Sequence, residues 1–191
     1  MWVYPADTIR NIIQNNPSYG VQFIVFILAF ENLFFFFNVL SLGLGMDTLA
    51  LVFLALFLAP FLGCLWLGIL SHILFYCQRV FQGTAPLEHL KAALAWSKVT
   101  ALGIFLSWIA IFVIEPEEAF IQVGGGNPWT NIFHFINVCL AIWSIGLTIS
   151  ALRAVEKFSL LRSIAFVSCG WLLFSIPALI IFFIFLHLTR F

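Results

Sequence analysis

The chain has 191 residues, of which 63% are apolar, 18% aromatic and 8% charged, and its eight basic and eight acidic side chains balance to zero net charge. So little polar surface cannot cover a water-soluble globule of this size, which leaves an integral membrane protein. The balanced charge lacks the excess of positive residues that a nucleic-acid partner would require.

Residues 1–20 read as a segment preceding the membrane domain. Trp2, Tyr4, Ile9, Ile12 and Ile13 alternate with Asp7, Arg10, Gln14 and Asn15, and Pro5 and Pro17 bracket them. Proline is tolerated in the first turn of a helix and breaks it later, so one short helix is expected from about Pro5 to Asn15. Its apolar face is expected to lie flat on the membrane surface.

Residues 21–191 carry five apolar runs, 21–40, 49–77, 95–114, 132–152 and 164–186. Each is long enough for a helix to cross a hydrocarbon core of roughly 30 Å. Barrel strands alternate apolar and polar residues, which these continuous runs do not. The expected fold is therefore all-α: a polytopic bundle of five transmembrane helices, with short interfacial helices on the cytoplasmic side. The first run exceeds the apolar stretch of a signal peptide and is expected to be retained. The second is longer than needed, with Pro60 offering a place to bend.

In the connection QRVFQGTAPLEHLKAALAWSKV, Gly83 should end one helix and Thr84 with Pro86 begin another. Leu87, Leu90 and Leu94 recur at helical spacing, predicting a second interfacial helix before the third span. Lys98 falls in that span's first turn, from which its side chain could reach back to the headgroups. The connection EPEEAFIQVGGGNPWT reads as a mobile hydrated loop; Glu115, Glu117 and Glu118 lack the further ligands that a metal site needs. In the fourth connection Ser159 can cap the last helix, which contains Pro177. Cys64, Cys77, Cys139 and Cys169 all fall within spans, without metal-type spacing, and read as free buried thiols.

Orientation follows from positive charge. With five crossings, Arg10, Arg79, Lys91, Lys98, Arg153, Lys157 and Arg162 share one side, and only Arg190 opposes them. Lysine and arginine in short loops stay cytoplasmic, so the N-terminus is expected inside and the C-terminus outside. The loop residues Arg79, Lys91, Arg153, Lys157 and Arg162, with Lys98, are expected to face anionic lipid.

Within the spans, Glu31 stands out. It falls at the bilayer centre, where an acidic residue costs roughly 2.5 to 3.5 kcal/mol, yet the fifteen Phe, Ile, Leu and Val residues of the same run more than offset this. It must face the bundle or a cavity, with Trp66, Ser107, Ser144 or Ser175 as hydrogen-bonding partners. Asn32 is adjacent, and Asn38 lies two turns on. His72 lies about 13 Å along the helix axis from the centre of its own span, too far to bond Glu31. It reads as an interfacial histidine, and His134, near the opposite face, as less informative still. The pairs Ala59/Gly63, Gly103/Ser107 and Gly146/Ser150 offer small-residue grooves for close helix packing. No nucleophile–base pair, phosphate-binding loop or metal motif is present, so neither catalytic residues nor a cofactor are expected.

Three segments, YPADTIRNIIQNNPSYG, FQGTAPLEHLKAALAWSKV and IWSIGLTISALRAVEKFSLLRSIAF, resemble the Yip family of Ypt/Rab-interacting membrane proteins. The resemblance runs from about Tyr4 to Leu186 and implies a five-span domain with a cytoplasmic N-terminus. Larger eukaryotic relatives act in vesicle traffic and engage Rab GTPases or other family members. This chain lacks their long N-terminal region and a DLYGP-like motif, so the resemblance does not extend to Rab-type GTPase binding and is to the short prokaryotic form. A further departure is Lys98-Val99-Thr100, where relatives commonly have a proline nearby.

The function expected on these grounds is that of a non-enzymatic membrane scaffold or membrane-organising protein. Its partners would be lipid and a second copy or another membrane protein, and its site the prokaryotic cytoplasmic membrane, or alternatively the ER or Golgi. The second reading is a small transporter or channel using Glu31. A hydrated cavity or lateral groove reaching Glu31 discriminates between them.

Overall fold

The structure is a computed structural model that describes residues 5–116, 119–121 and 128–188, with side chains described for 7–116, 119–121 and 128–177. Its helices are α1 (Pro5–Asn15), α2 (Val21–Val39), α3 (Thr48–Val80), α4 (Leu87–Ser97), α5 (Ala101–Ile114), α6 (Pro128–Glu156) and α7 (Leu160–Leu188), with a 3₁₀ turn at Leu42–Leu44. Five units are long and apolar enough to cross a membrane: α2, α3, the α4–α5 pair, α6 and α7. Trp2, Tyr4, Glu117, Glu118, the triple glycine and Arg190 lie outside the described residues.

The five units form a ring. α2 packs on α3, α3 on α7, α7 on α6, α6 on α5, and α5 closes back on α2. Among the described residues, α2, α3, α5, α6 and α7 pack among themselves only on their ring neighbours, whereas α4 reaches across to α3. Small residues permit the tightest of these contacts. Gly63 of α3, one turn from buried Ala59, lies against the Val25 carbonyl and Ala29 of α2, and Gly103 of α5 faces Leu140 of α6. The third small-residue pair is not used in this way, since nothing lies within 4 Å of a side chain built at Gly146. Cys77 and Cys169, free thiols both, approach one another where α3 meets α7.

The third span departs from expectation. It is broken at residues 98–100 into α4 and α5. Over the break, Ala101 N bonds Lys98 O at 2.9 Å and Gly103 N bonds Thr100 O at 2.9 Å, the tighter i to i−3 pattern of a mid-helix 3₁₀ turn.

α4 is not a surface helix but is covered by protein. It lies across one end of the ring against α2, α3 and α6. Leu90, Ala92, Ala93 and Ala95 are wholly buried. The leucine stripe seen in the sequence is flanked by alanines on the remaining faces, so the helix can be surrounded by protein at close range. α1 has the expected bounds, but Ile9 and Ile13, the core of its apolar face, pack into the protein against α4 and α6 instead of pointing to a membrane surface.

At the same end, one carboxylate organises the α3–α4 connection. Glu156 Oε2 accepts from Thr84 N at 2.9 Å and Ala85 N at 3.3 Å, supplying the partners that a helix approach would otherwise lack. Gln78 Nε2 donates to Ala85 O at 3.1 Å, and Arg162 donates to Phe81 O. The turn is closed by Gln82 in the left-handed region, at φ 53°, with Gly83 N bonded to Gln78 O. Gly83 therefore does not supply the left-handed residue; it leaves room for the Glu156 carboxylate.

At the opposite end an aromatic cluster holds the connection after α5. Phe34, Phe37, Trp108, Phe112 and Phe120 meet largely edge to face, with centroids 5.1 to 6.4 Å apart. Asn38 Nδ2 donates to Ala119 O at 3.0 Å, and Gly43 N donates to Phe120 O at 3.1 Å. The segment was expected to be the most mobile of the chain, yet its described residues Ala119 and Phe120 are buried.

Candidate functional site: a charged cavity within the helix ring

The centre of the ring is hollow. A cavity of about 910 Å³ is lined by all five units, with apolar walls from Leu28, Leu62, Ile104, Ile145 and Val167 and indole walls from Trp66 and Trp171. Its polar groups are few: Glu31, Asn32, Lys98, Thr100, Ser144 and Ser168. A second cavity of about 700 Å³ lies between α2, α5 and α6 and shares Glu31 and Asn32 with the first.

The two are stacked along the helix axes, as the residue numbers on each helix demonstrate. On α2 the first touches 28–33 and the second 31–39; on α5 and its approach, 98–104 and then 104–115; on α6, 141–149 and then 130–145. From Lys98 to Glu115 this amounts to roughly 25 Å of helix, close to the thickness of a hydrocarbon core.

Glu31 is buried in mid-α2 and faces both cavities, so it is not directed at lipid. Its described hydrogen-bond partner is neighbouring Asn32, whose Nδ2 lies 3.4 Å from Oε1 and 2.6 Å from Leu28 O. Trp66 and Ser144 line the first cavity with it, whereas Ser107 is turned to Asn137. Asn38 lines the second cavity.

Lys98 corrects the sequence reading. It is 8% exposed and does not reach back to headgroups. Its Nζ donates to Ser144 Oγ at 2.8 Å and stands 5.5 Å from the centre of the Trp171 ring. The physical reason is α4: a helix buried beneath this position removes the nearby polar surface, and the break at 98–100 turns the side chain into the ring. Lys98 thereby lines the same cavity as Glu31, and among the described residues no direct ion pair joins them.

The other sequence candidates lie elsewhere. His72 is exposed, with Nδ1 2.7 Å from Gly68 O, and lines neither cavity. Arg79, Lys91, Arg153, Lys157 and Arg162 belong to the end of the bundle where α3 and α6 finish. There Arg79 lies over Tyr76 and Arg162 over Phe158. None of the five contributes to the cavities.

His134, set aside on its sequence position, is part of the site. It meets Trp108 edge to face and lines the second cavity with Thr130, Asn131 and Asn137. Thr130 Oγ1 donates to Glu115 Oε2 at 2.6 Å at the far mouth. Among the described residues no three His, Cys, Asp or Glu side chains gather as metal ligands, and Glu117 and Glu118 are outside them.

Comparison with known proteins adds no relative: no family model matches the chain, and no curated protein or solved structure matches it.

Proposed function

We propose that the protein is a small membrane carrier that admits a solute to the centre of the helix ring and passes it along the line of cavities meeting at Glu31. The observation that carries this reading is that Glu31 and Asn32 line both cavities, so that polar groups follow one another from Lys98 to Glu115. An acidic residue at mid-span is costly unless it faces a partner or a wet space, and transport pathways are where such residues concentrate. The scaffold function implied by the Yip resemblance draws no support from the cavities. In this proposal the basic end faces the cytoplasm, by the distribution of lysine and arginine, and a prokaryotic cytoplasmic membrane is the expected site.

Thiol accessibility tests it. With Cys64, Cys77, Cys139 and Cys169 replaced by serine, Asn32→Cys and Ser144→Cys are expected to react with a membrane-impermeant methanethiosulfonate in vesicles. Phe57→Cys, on the outer surface of α3 and 68% exposed, should not. If Asn32→Cys and Ser144→Cys stay unmodified from both sides while Lys157→Cys reacts, there is no wet route and the proposal fails.

A further inference from the structure

Resting on the carrier reading, we infer that the first cavity is a binding site for a small zwitterion: an ammonium group at Glu31, an anionic group at Lys98, and an apolar remainder against Leu28, Leu62 and Ile104. A free amino acid with an aliphatic side chain has this chemistry, and so does a phosphoethanolamine lipid headgroup.

The anion end is Lys98. Lys98 Nζ has three hydrogens, of which Ser144 Oγ takes one, leaving two to donate. Thr100 lines the cavity beside Lys98, and its hydroxyl makes no side-chain cap on α5.

The cation end is Glu31. The long contact from Asn32 is its one described partner, so its carboxyl group is open to a further one. Trp66, on the same cavity wall, offers an aromatic face of the kind that attracts an ammonium group.

Separation is the deciding point. A salt bridge between Glu31 and Lys98 would have satisfied both charges and left nothing to recruit. They instead line one cavity with no ion pair between them, where each is worth more to an incoming partner than it would be in water. A ligand with one charge would neutralise one of them and strand the other. A zwitterion pairs both and adds no net charge to the ring interior.

Binding to the purified protein in phosphatidylglycerol nanodiscs tests this, using leucine and its two single-charge analogues, isocaproate and isoamylamine. Leucine is expected to bind about tenfold or more tighter than either, the loss associated with one charge-assisted hydrogen bond. Lys98→Met should abolish the preference of leucine over isoamylamine, and Lys98→Arg should keep it. Glu31→Gln should abolish the preference over isocaproate.

Nanodiscs containing phosphatidylethanolamine separate the two sources. If leucine does not bind but this lipid co-purifies with wild type and not with Lys98→Met, the zwitterion is a headgroup. Equal binding of all three small molecules overturns the inference. So does failure of both leucine and phosphatidylethanolamine to bind a protein whose Asn32→Cys variant is labelled, which leaves the wet route intact. Should Asn32→Cys also be unlabelled, the carrier reading falls with it.

Discussion

Gly63 stands where α2 and α3 come closest: a Cβ there would lie 2.8 Å from the Val25 carbonyl oxygen and 3.2 Å from Ala29 Cβ. Backbone cannot yield as a flexible side chain can, so Gly63→Ala is expected to destabilise by about 1 to 3 kcal/mol, as overpacking does. Gly68→Ala on the same helix meets nothing within 4 Å and should gain about 0.5 to 1 kcal/mol from helix propensity. Thermal melting of the two variants in detergent checks the contrast, and equal midpoints would contradict it. Individual residues were unevenly legible. Glu31 was identifiable because depth alone fixes the cost of its charge. Lys98 was misread because position along a span does not reveal which side of a helix is covered by protein. Asn131, His134, Asn137, Ser144 and Thr148 recur at intervals of three, four or seven, the spacing of one helix face, and that signal was present in the sequence though each residue taken singly looked unimportant.

For the helices, the apolar runs and prolines located the five spans and the bounds of α1, because hydrophobic length and the missing proline N–H are local properties. The burial of α4 was not local. A stripe of Leu87, Leu90 and Leu94 with charges between fits a membrane surface or a protein surface equally well, and the packing partners, α3 and α6, lie far away in the chain. Glu156 provides a test of how that helix is held. Glu156→Ala strips partners from the Thr84 and Ala85 amides and should cost about 1 to 3 kcal/mol. Gly83→Ala is expected to act on the same bond, since its Cβ would meet the Glu156 carboxylate. The double variant should therefore melt higher than the sum of the single losses implies. Strict additivity would mean that the carboxylate is not the shared element.

For the whole molecule, charge and chain order carry the expectation of orientation. Lys91 and Lys157 follow helices that end at the same pole of the ring, and cysteines placed at these two positions should label from the same compartment. Labelling from opposite compartments would reject the arrangement. What composition could not disclose was the hollow. The same five helices could pack around a solid centre, and the choice depends on which faces meet, set by contacts such as Gly63 on Val25 and Trp66 on Trp171. A hoop of staves touching only their neighbours has a mechanical property that a filled bundle lacks. Away from the end that α4 crosses, its bore can widen or narrow when adjacent staves lean and slide by small amounts, so such shear is the softest deformation available to this barrel of helices.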